Sequence, residues 1–190
     1  MQYSENWIRR RTFVKPTTCY ECLTRKGRIF SFYELLDIGE PRLHPNCGCR
    51  LERMEAVEAG EATSMGMTGA DAWLKYFGEL PDYYISENEA KLLGWINIYG
   101  NLDKVAPGKM LSKGIYRNDD GVLPQKNNRI WYEADINYTG GYRNTQRIVF
   151  SNDGLVFVTY DHYKTFIEIT GGDKSYARNH IGFYGMQIFA

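Results

Sequence analysis

The chain has no apolar run that approaches the roughly 18 residues of a membrane-spanning helix, which excludes a helical membrane protein. Its N-terminus, MQYSENWIRRRTF, carries charges but no apolar segment, so the sequence predicts no standard secretory signal. It also lacks an excess of either charge, because Lys and Arg number 23 and Asp and Glu number 23. Binding to nucleic acid through bulk positive charge is therefore disfavoured, whereas a local basic cleft stays compatible with the composition.

The composition is otherwise that of a globular protein. Apolar residues make up 43% and charged residues 24% of the 190 residues, which argues against general disorder and allows one or two domains. Aromatic residues reach 15%, and three of the four Trp follow residue 70, whereas all four Cys precede residue 50. This asymmetry predicts two units with different sources of stability.

Four segments are predicted. Residues 1–54 form a small Cys-rich module with little regular structure, and residues 55–70 form a Gly-rich linker. Residues 71–170 form the main domain. The role of residues 171–190 stays open between an edge strand, docking on the core and disorder.

The main domain shows helical patterns first and strand patterns afterwards. Ser86 and Glu89 have the spacing of a capping box that begins a helix, and Asn152 to Gly154 are typical of a tight hairpin. Helices are predicted at 71–77, 86–94 and 102–106, and strands at 130–136, 147–150 and 155–160. This order predicts an α+β fold in which N-terminal helices pack on a multi-stranded antiparallel sheet.

The four cysteines have a spacing that is typical of a structural metal site. Cys19 and Cys22 are separated by two residues, Cys47 and Cys49 by one, and His44 precedes the second pair. Four thiolates can hold one tetrahedral zinc, with His44 as a possible substitute ligand, and can thereby stabilise a module too small for a large core. Two disulfides and free buried thiols are the alternatives. No cofactor is expected for catalysis.

The string HPNCGC at 44–49, preceded by the pair Cys19 and Cys22, resembles the C-terminal segment of phage head morphogenesis proteins of the Mu F minor head type. This resemblance covers only residues 19–49. It implies that the module derives from a larger capsid-associated or delivery protein.

Four polar residues of the main domain have the side chains that RNA cleavage requires. Glu133 and Arg147 lie in or next to predicted strands, Arg143 lies four residues before Arg147, and His162 follows the last predicted strand. A carboxylate and an imidazole can act as base and acid, and two guanidinium groups can stabilise phosphate charge. From the residues alone this signal is weak, and the alternatives are a loop histidine hydrogen-bonded to Asp161 and a solvated surface pair of arginines.

Residues 80–168 resemble the bacterial guanyl-specific ribonucleases of the barnase type. The strings that carry the resemblance are LPDYYI (80–85), EAKLLGW (89–95), GNLDKVAPGK (100–109), YEADINYT (132–139), GYRN (141–144) and DHYKTF (161–166). The resemblance implies the microbial ribonuclease fold and cleavage of RNA after guanine through a 2′,3′-cyclic phosphate, followed by its hydrolysis.

The same resemblance implies a role for each matching residue. Glu133 would be the general base, His162 the general acid, Arg143 and Arg147 the phosphate-binding arginines, and Tyr163 a substrate-contacting tyrosine. The guanine-reading loop falls on Tyr116, Arg117, Asn118, Asp119 and Asp120. In that loop, Asp120 would accept hydrogen bonds from the guanine N1–H and N2 amine.

Two positions depart from the family pattern. Glu87 stands where the family has a lysine of the catalytic site, and Asp119 stands where it has an arginine beside the base-binding loop. Both exchanges place negative charge near the expected phosphate site. They predict a slower enzyme or a compensating cation, for which Lys113 and Lys126 are candidates. A deliberately introduced exchange that inactivates the enzyme is the other interpretation of Glu87.

The resulting prediction is an endoribonuclease toxin, delivered by phage packaging or a non-standard export route and acting in the cytoplasm of a target cell. Its expected partners are RNA, a cognate inhibitor of the barstar type with an altered interface, and a phage capsid, but no membrane. The alternative is a non-catalytic, zinc-binding structural or RNA-binding module with a decayed nuclease site.

Overall fold

A computed structural model describes residues 10–13, 24–25, 27–30, 34 and 50–171. The chain divides into two units, one comprising Met1–Glu55 with Arg117–Arg129 and the other Ala56–Tyr116 with Ile130–Ala190. Within the part of the chain that the structure describes, no helix combines the length and hydrophobicity needed to cross a membrane.

The first unit contains a three-stranded antiparallel sheet. Its strands are β1 (Arg10–Phe13), β2 (Ile29–Phe30) and β3 (Arg50–Arg53), in the order β2-β1-β3. The N–H of Ile29 donates to the carbonyl of Val122 at 2.7 Å, which ties the segment 117–129 to β2. The predicted metal ligands Cys19, Cys22, His44, Cys47 and Cys49 lie outside the described residues, so the zinc site stays a prediction.

The second unit is built on a seven-stranded sheet. Its strands, in chain order, are β4 (Ala56–Glu58), β5 (Tyr84–Ser86), β6 (Met110–Tyr116), β7 (Trp131–Asp135), β8 (Arg147–Ser151), β9 (Val156–Thr159) and β10 (Ile167–Thr170). The spatial order is β4-β10-β9-β8-β7-β6-β5. The sheet is mixed, because β4 pairs with β10 and β5 with β6 in parallel, while the four pairs between them are antiparallel.

The helices of this unit are short. They are α1 (Ala70–Tyr76), α2 (Glu87–Leu92) and α3 (Leu102–Val105), together with 3₁₀ turns at Gly66–Thr68 and Asn97–Tyr99. The predicted capping box is present, since Glu89 N–H donates to the Ser86 hydroxyl and Ser86 N–H donates to Glu89. The α+β class is confirmed, but parallel strands at both sheet edges replace a purely antiparallel arrangement.

Residues 56–70 of the predicted linker (55–70) are part of the second unit, so this segment is not a separate linker. Strand β4 lies in this segment, and the segment folds over the buried carboxylate of Asp71. Asp71 accepts hydrogen bonds from Gly60 N–H at 2.7 Å, Ala62 N–H at 3.0 Å and the Thr63 hydroxyl at 2.8 Å. A buried carboxylate needs such donors, and here the predicted linker supplies them.

Two apolar clusters stabilise the second unit. One lies where α1 covers the sheet, and it includes Leu74, Ala134, Ile148, Val158 and Ile169. The other forms around α2 and α3 and includes Ala90, Trp95, Leu102, Ala106 and Leu111. Because Ala134, Ile148 and Val158 project into the first cluster, their strand neighbours must project from the opposite face of the sheet.

Candidate active site

The register of β7, β8 and β9 places the polar candidates on the face opposite α1. Asp135 is directly across from Arg147, and Arg147 is directly across from Thr159. Glu133 precedes Asp135 by two positions and therefore shares its face. Alternation along three antiparallel strands thus explains why Glu133, Asp135 and Arg147 meet.

Asp135 is the centre of a charge network with two arginines. Arg143 donates to both carboxylate oxygens of Asp135, from Nε at 2.6 Å and from Nη2 at 2.5 Å. The Arg147 Nε lies 3.1 Å from the same carboxylate, and its Nη1 donates to the carbonyl of Gln146 at 2.6 Å. Burial alone lowers the pKa of Arg143, but the hydrogen bonds and charge of Asp135, with the charge of Glu87, raise it overall.

Glu133 is nearly buried and lies between a hydroxyl and an ammonium group. Its side chain is 11% exposed. The Tyr163 hydroxyl donates to Glu133 Oε2, and Lys113 Nζ lies 3.4 Å from Oε1. Burial, followed by the hydrogen bond to Glu133 and its negative charge, raises the pKa of Tyr163 above its ordinary value. The tyrosine therefore stays protonated and acts as a donor near neutral pH.

His162 lies on the loop between β9 and β10, and its side chain is exposed. Both His162 and Tyr163 have left-handed backbone conformations, with φ of 60° and 69°. The His162 N–H donates to the carbonyl of Thr145 at 3.2 Å, and its ring lies 4.9 Å from the Tyr163 ring. The loop thus holds His162 beside the tyrosine that contacts Glu133.

The carboxylate of Asp161 stabilises the conformation of this loop by accepting hydrogen bonds. Its Oδ1 accepts from the N–H groups of Lys164 and Thr165, and its Oδ2 accepts from the Thr165 hydroxyl at 2.7 Å. The slight burial of Asp161 raises its pKa, but these hydrogen bonds, with one from Thr159, lower it overall. Asp161 is therefore a loop anchor whose bonds compensate for two unfavourable backbone conformations.

A cavity of about 430 Å³ opens beside these residues, and its lining includes Glu87, Lys91, Trp95, Lys113 and Arg143. Glu87 follows the capping residue of α2 and pairs with Lys91 at 3.7 Å. Glu87 and Arg143 thus line the same cavity, and the negative charge of Glu87 raises the pKa of Arg143. Lys113 lines the same cavity, whereas the other candidate cation, Lys126, belongs to the first unit.

Tyr116, at the end of β6, stacks on Tyr163 with 5.4 Å between the ring centroids and 22° between their planes. The following loop belongs to the first unit. There Arg117 and Asp119 form an exposed ion pair at 3.1 Å, and the Asn118 side chain bonds to the N–H and carbonyl of Leu123. The exposed Asp120 accepts from Val122 N–H at 3.3 Å.

Two features of the site were not predicted from the sequence, namely the contact of Lys113 with Glu133 and the role of Asp161 in its loop. The contact of Lys113 with Glu133 arises at a β-bulge in β6, and the anchoring role of Asp161 arises from bonds within its own loop. A Gly after Lys113 is the one local signal for such a bulge. Among the described residues, no group of three or more His, Cys, Asp or Glu could hold a metal ion.

Comparison with known proteins assigns residues 71–170 to a family. The ribonuclease family model matches residues 71–170. The chain belongs to the ribonuclease family. Over 101 residues it is 46% identical to a ribonuclease of Heyndrickxia coagulans, which covers 53% of this chain and 93% of that relative. Ribonucleases of Bacillus intermedius and Bacillus pumilus are also 46% identical over 101 residues, which is 53% of this chain and 62% of each relative.

Membership of the ribonuclease family confirms the predicted resemblance to the bacterial ribonucleases. The mixed sheet with few helices is compatible with a microbial ribonuclease fold. The resemblance of residues 19–49 to phage head proteins stays a prediction.

Proposed function

We propose that this protein is an endoribonuclease that cleaves RNA after guanine through a 2′,3′-cyclic phosphate. The observation that carries the proposal is the environment of Glu133. This nearly buried carboxylate shares a sheet face with the Asp135 network, contacts Tyr163 and lies 3.4 Å from the Lys113 ammonium. Family membership supports the general class of reaction.

In the first step, Glu133 accepts the proton of the ribose 2′-hydroxyl, and the 2′-oxygen attacks the adjacent phosphorus. The bond from phosphorus to the 5′-oxygen breaks, and His162 donates a proton to that oxygen. Arg147, held by Asp135, stabilises the negative charge that develops on the phosphoryl oxygens. The products are a 2′,3′-cyclic phosphate and a free 5′-hydroxyl.

In the second step, water opens the cyclic phosphate and the two groups exchange roles. His162 accepts the proton of water, and Glu133 returns a proton to the departing 2′-oxygen, which leaves a 3′-phosphate. The reaction requires the 2′-hydroxyl as nucleophile. DNA, which lacks this group, is therefore not a substrate.

Guanine preference is assigned to the segment from Tyr116 to Asp120. Asp120 is exposed, and its carboxylate can accept from the guanine N1–H and N2 amine. The two side-chain bonds of Asn118 to Leu123 give this loop a defined backbone, which base recognition requires. Support for the preference comes from the family resemblance and from this geometry.

The test is digestion of a long RNA with wild-type protein and His162→Ala, with mapping of the new 3′ ends. We expect 3′ ends after guanine and a loss of about 10²–10⁴-fold in rate for the variant, because one acid–base group is removed. Equal rates for wild type and variant would contradict the assignment. Ends spread evenly over the four bases would contradict the guanine preference alone.

Cleavage of cellular RNA is toxic, so we propose a delivered toxin with a cognate inhibitor. Residues 71–170 hold 11 Lys and Arg but 13 Asp and Glu, and the acidic Glu87 and Asp119 lie in regions assigned to the substrate. The inhibitor should therefore present a less acidic surface than the barstar type. Binding to a barstar-type inhibitor that is tight and strongly salt-dependent would contradict this expectation.

The N-terminal cysteines are proposed to hold a structural zinc in a module that associates with a phage capsid. The four thiols and His44 provide the chemistry that zinc prefers. Mass spectrometry of the purified protein should detect one zinc per chain, with loss of the metal in Cys47→Ser. Zinc-free protein with two intact disulfides would contradict the site.

A non-catalytic RNA-binding role is the second candidate, and the acidic Glu87 beside Arg143 favours it. An added negative charge at this place weakens the stabilisation of a phosphate transition state. Tight binding of RNA with no cleavage products would support this candidate and contradict the first.

A further inference from the structure

Strand β6 contains a bulge at the position of Lys113. Ser112 is paired with Ala134, but the next pair joins Gly114 to Glu133, so Lys113 is the additional residue without a partner across the strand. Gly114 has φ of 82°, a conformation that suits glycine at a bulge. Bulges redirect side chains, and this one brings the Lys113 ammonium to 3.4 Å from Glu133 Oε1.

The Lys113 side chain differs from the other cations that line the neighbouring cavity. Lys91 pairs with Glu87, and Arg143 donates two hydrogen bonds to Asp135. Lys113 instead faces the carboxylate assigned as the base, and it is 28% exposed. Its ammonium is therefore accessible from the cavity and is held by a group whose charge changes during the reaction.

Proton transfer changes the electrostatic environment of Lys113. When Glu133 accepts the proton of the 2′-hydroxyl, its carboxylate becomes neutral and its attraction to the ammonium falls. At the same moment, negative charge accumulates on the phosphoryl oxygens. The same ammonium then has a new anionic partner in the cavity it shares with Arg143.

We propose that Lys113 is a substrate-contacting residue whose ammonium binds the scissile phosphate and supplies positive charge on the side of the cavity that carries Glu87. This proposal rests on the proposed ribonuclease function. Because Lys113 lies at the β6 bulge, the alternation of side chains along the strand does not indicate that it contacts the phosphate.

The experiment compares Lys113→Met with Lys113→Arg and with the control Lys104→Met, an exposed lysine on α3. The substrate is the dinucleotide GpA. For Lys113→Met we expect kcat/KM to fall by about 10- to 100-fold, less than the 10²–10³-fold typical of a buried donor, because Lys113 is partly exposed. Lys113→Arg keeps the charge and should recover part of the loss, while Lys104→Met should match wild type.

A binding measurement distinguishes phosphate contact from a role limited to Glu133. Calorimetric titration with inorganic phosphate should give a weaker affinity for Lys113→Met than for wild type, and an affinity near wild type for Lys104→Met. Equal phosphate affinity in wild type and Lys113→Met would overturn the proposal, because Lys113 would then act through Glu133 alone. This titration needs no turnover, so its outcome is distinct from failure of the ribonuclease function.

A second test changes the charge at position 87 and measures kcat/KM with and without Lys113. If both positions face the same phosphate, Glu87→Lys should raise kcat/KM more in the Lys113→Met background than in wild type. Equal effects in the two backgrounds would show that the two positions act independently and would contradict a shared phosphate.

Discussion

The two sides of the candidate site are built differently. On one side, the Asp135 network joins Arg143 and Arg147, and the three side chains are 2%, 13% and 5% exposed. On the other side, Glu87 and Lys113 line an open cavity and are 33% and 28% exposed. The first side is fixed by the strand register, whereas the second depends on a helix terminus and a bulge.

The difference indicates that one side of the site also stabilises the fold, whereas the other side contributes little to folding. The Asp135 network pairs one buried carboxylate with the buried Arg147 and the partly buried Arg143, so it contributes to folding as well as to the site. The cavity side carries side chains that are partly exposed to the cavity and are less constrained by packing. Charge can therefore change at position 87 without loss of the fold, which is compatible with an acidic residue beside Arg143.

The largest expected effect comes from breaking the network itself. Asp135→Asn leaves the buried Arg147 and the partly buried Arg143 without their carboxylate, and loss of one partner from a buried pair costs about 3–5 kcal/mol. Urea unfolding should show this decrease in the free energy of unfolding. The exposed control Glu79→Gln should stay within about 0.5 kcal/mol of wild type. An Asp135→Asn protein as stable as the control would contradict the distinction between the two sides.

A smaller effect is expected at the contact between Tyr163 and Glu133. Tyr163→Phe removes the hydroxyl donor but keeps the ring that stacks on Tyr116. We expect kcat/KM to fall about 10-fold with little change in thermal stability, because a hydrogen bond to a charged group contributes roughly 1.5–3 kcal/mol. Tyr142→Phe is the matched control, since its hydroxyl donates only to the carbonyl of Ile98 on the surface. Equal activity of the two variants would argue against a role for this contact.

The smallest effect concerns the loop anchor Asp161 and depends on pH. Its pKa in the folded protein lies below the ordinary 3.8, so its contribution to stability is complete above that value and is lost as the pH falls through the lower folded pKa. Asp161→Asn should therefore be less stable than wild type at neutral pH, and the difference should shrink below about pH 3.8. Thermal unfolding across pH 2–7 measures this, and a constant difference would contradict the anchor role.

Much of the Asp135 side follows from the sequence. Alternation along 130–136 and 147–150 predicts strands, and placing Glu133, Asp135 and Arg147 on one face requires only that these strands pair in register. The capping box at Ser86 and Glu89 was equally local and is present. Such features depend on the spacing of residues within short segments, and the amino-acid sequence contains this spacing directly.

The cavity side does not follow from the sequence in the same way. The bulge at Lys113 depends on how β6 pairs with β7, and the parallel pairing of Ala56–Glu58 with β10 joins segments more than 100 residues apart. The left-handed backbone at His162 and Tyr163 depends on hydrogen bonds that converge on Asp161. Long-range pairing and loop closure are decided by the whole fold, so local patterns indicate neither.

The proposed reaction can be followed by ³¹P NMR of the dinucleotides GpA and ApA during incubation with the purified protein. We expect GpA to give guanosine 2′,3′-cyclic phosphate before the 3′-phosphate, and ApA to be cleaved much more slowly. His162→Ala should form the cyclic product about 10²–10⁴-fold more slowly. A persistent dinucleotide signal, or cyclic product formed at the same rate by His162→Ala, would contradict the proposed ribonuclease mechanism.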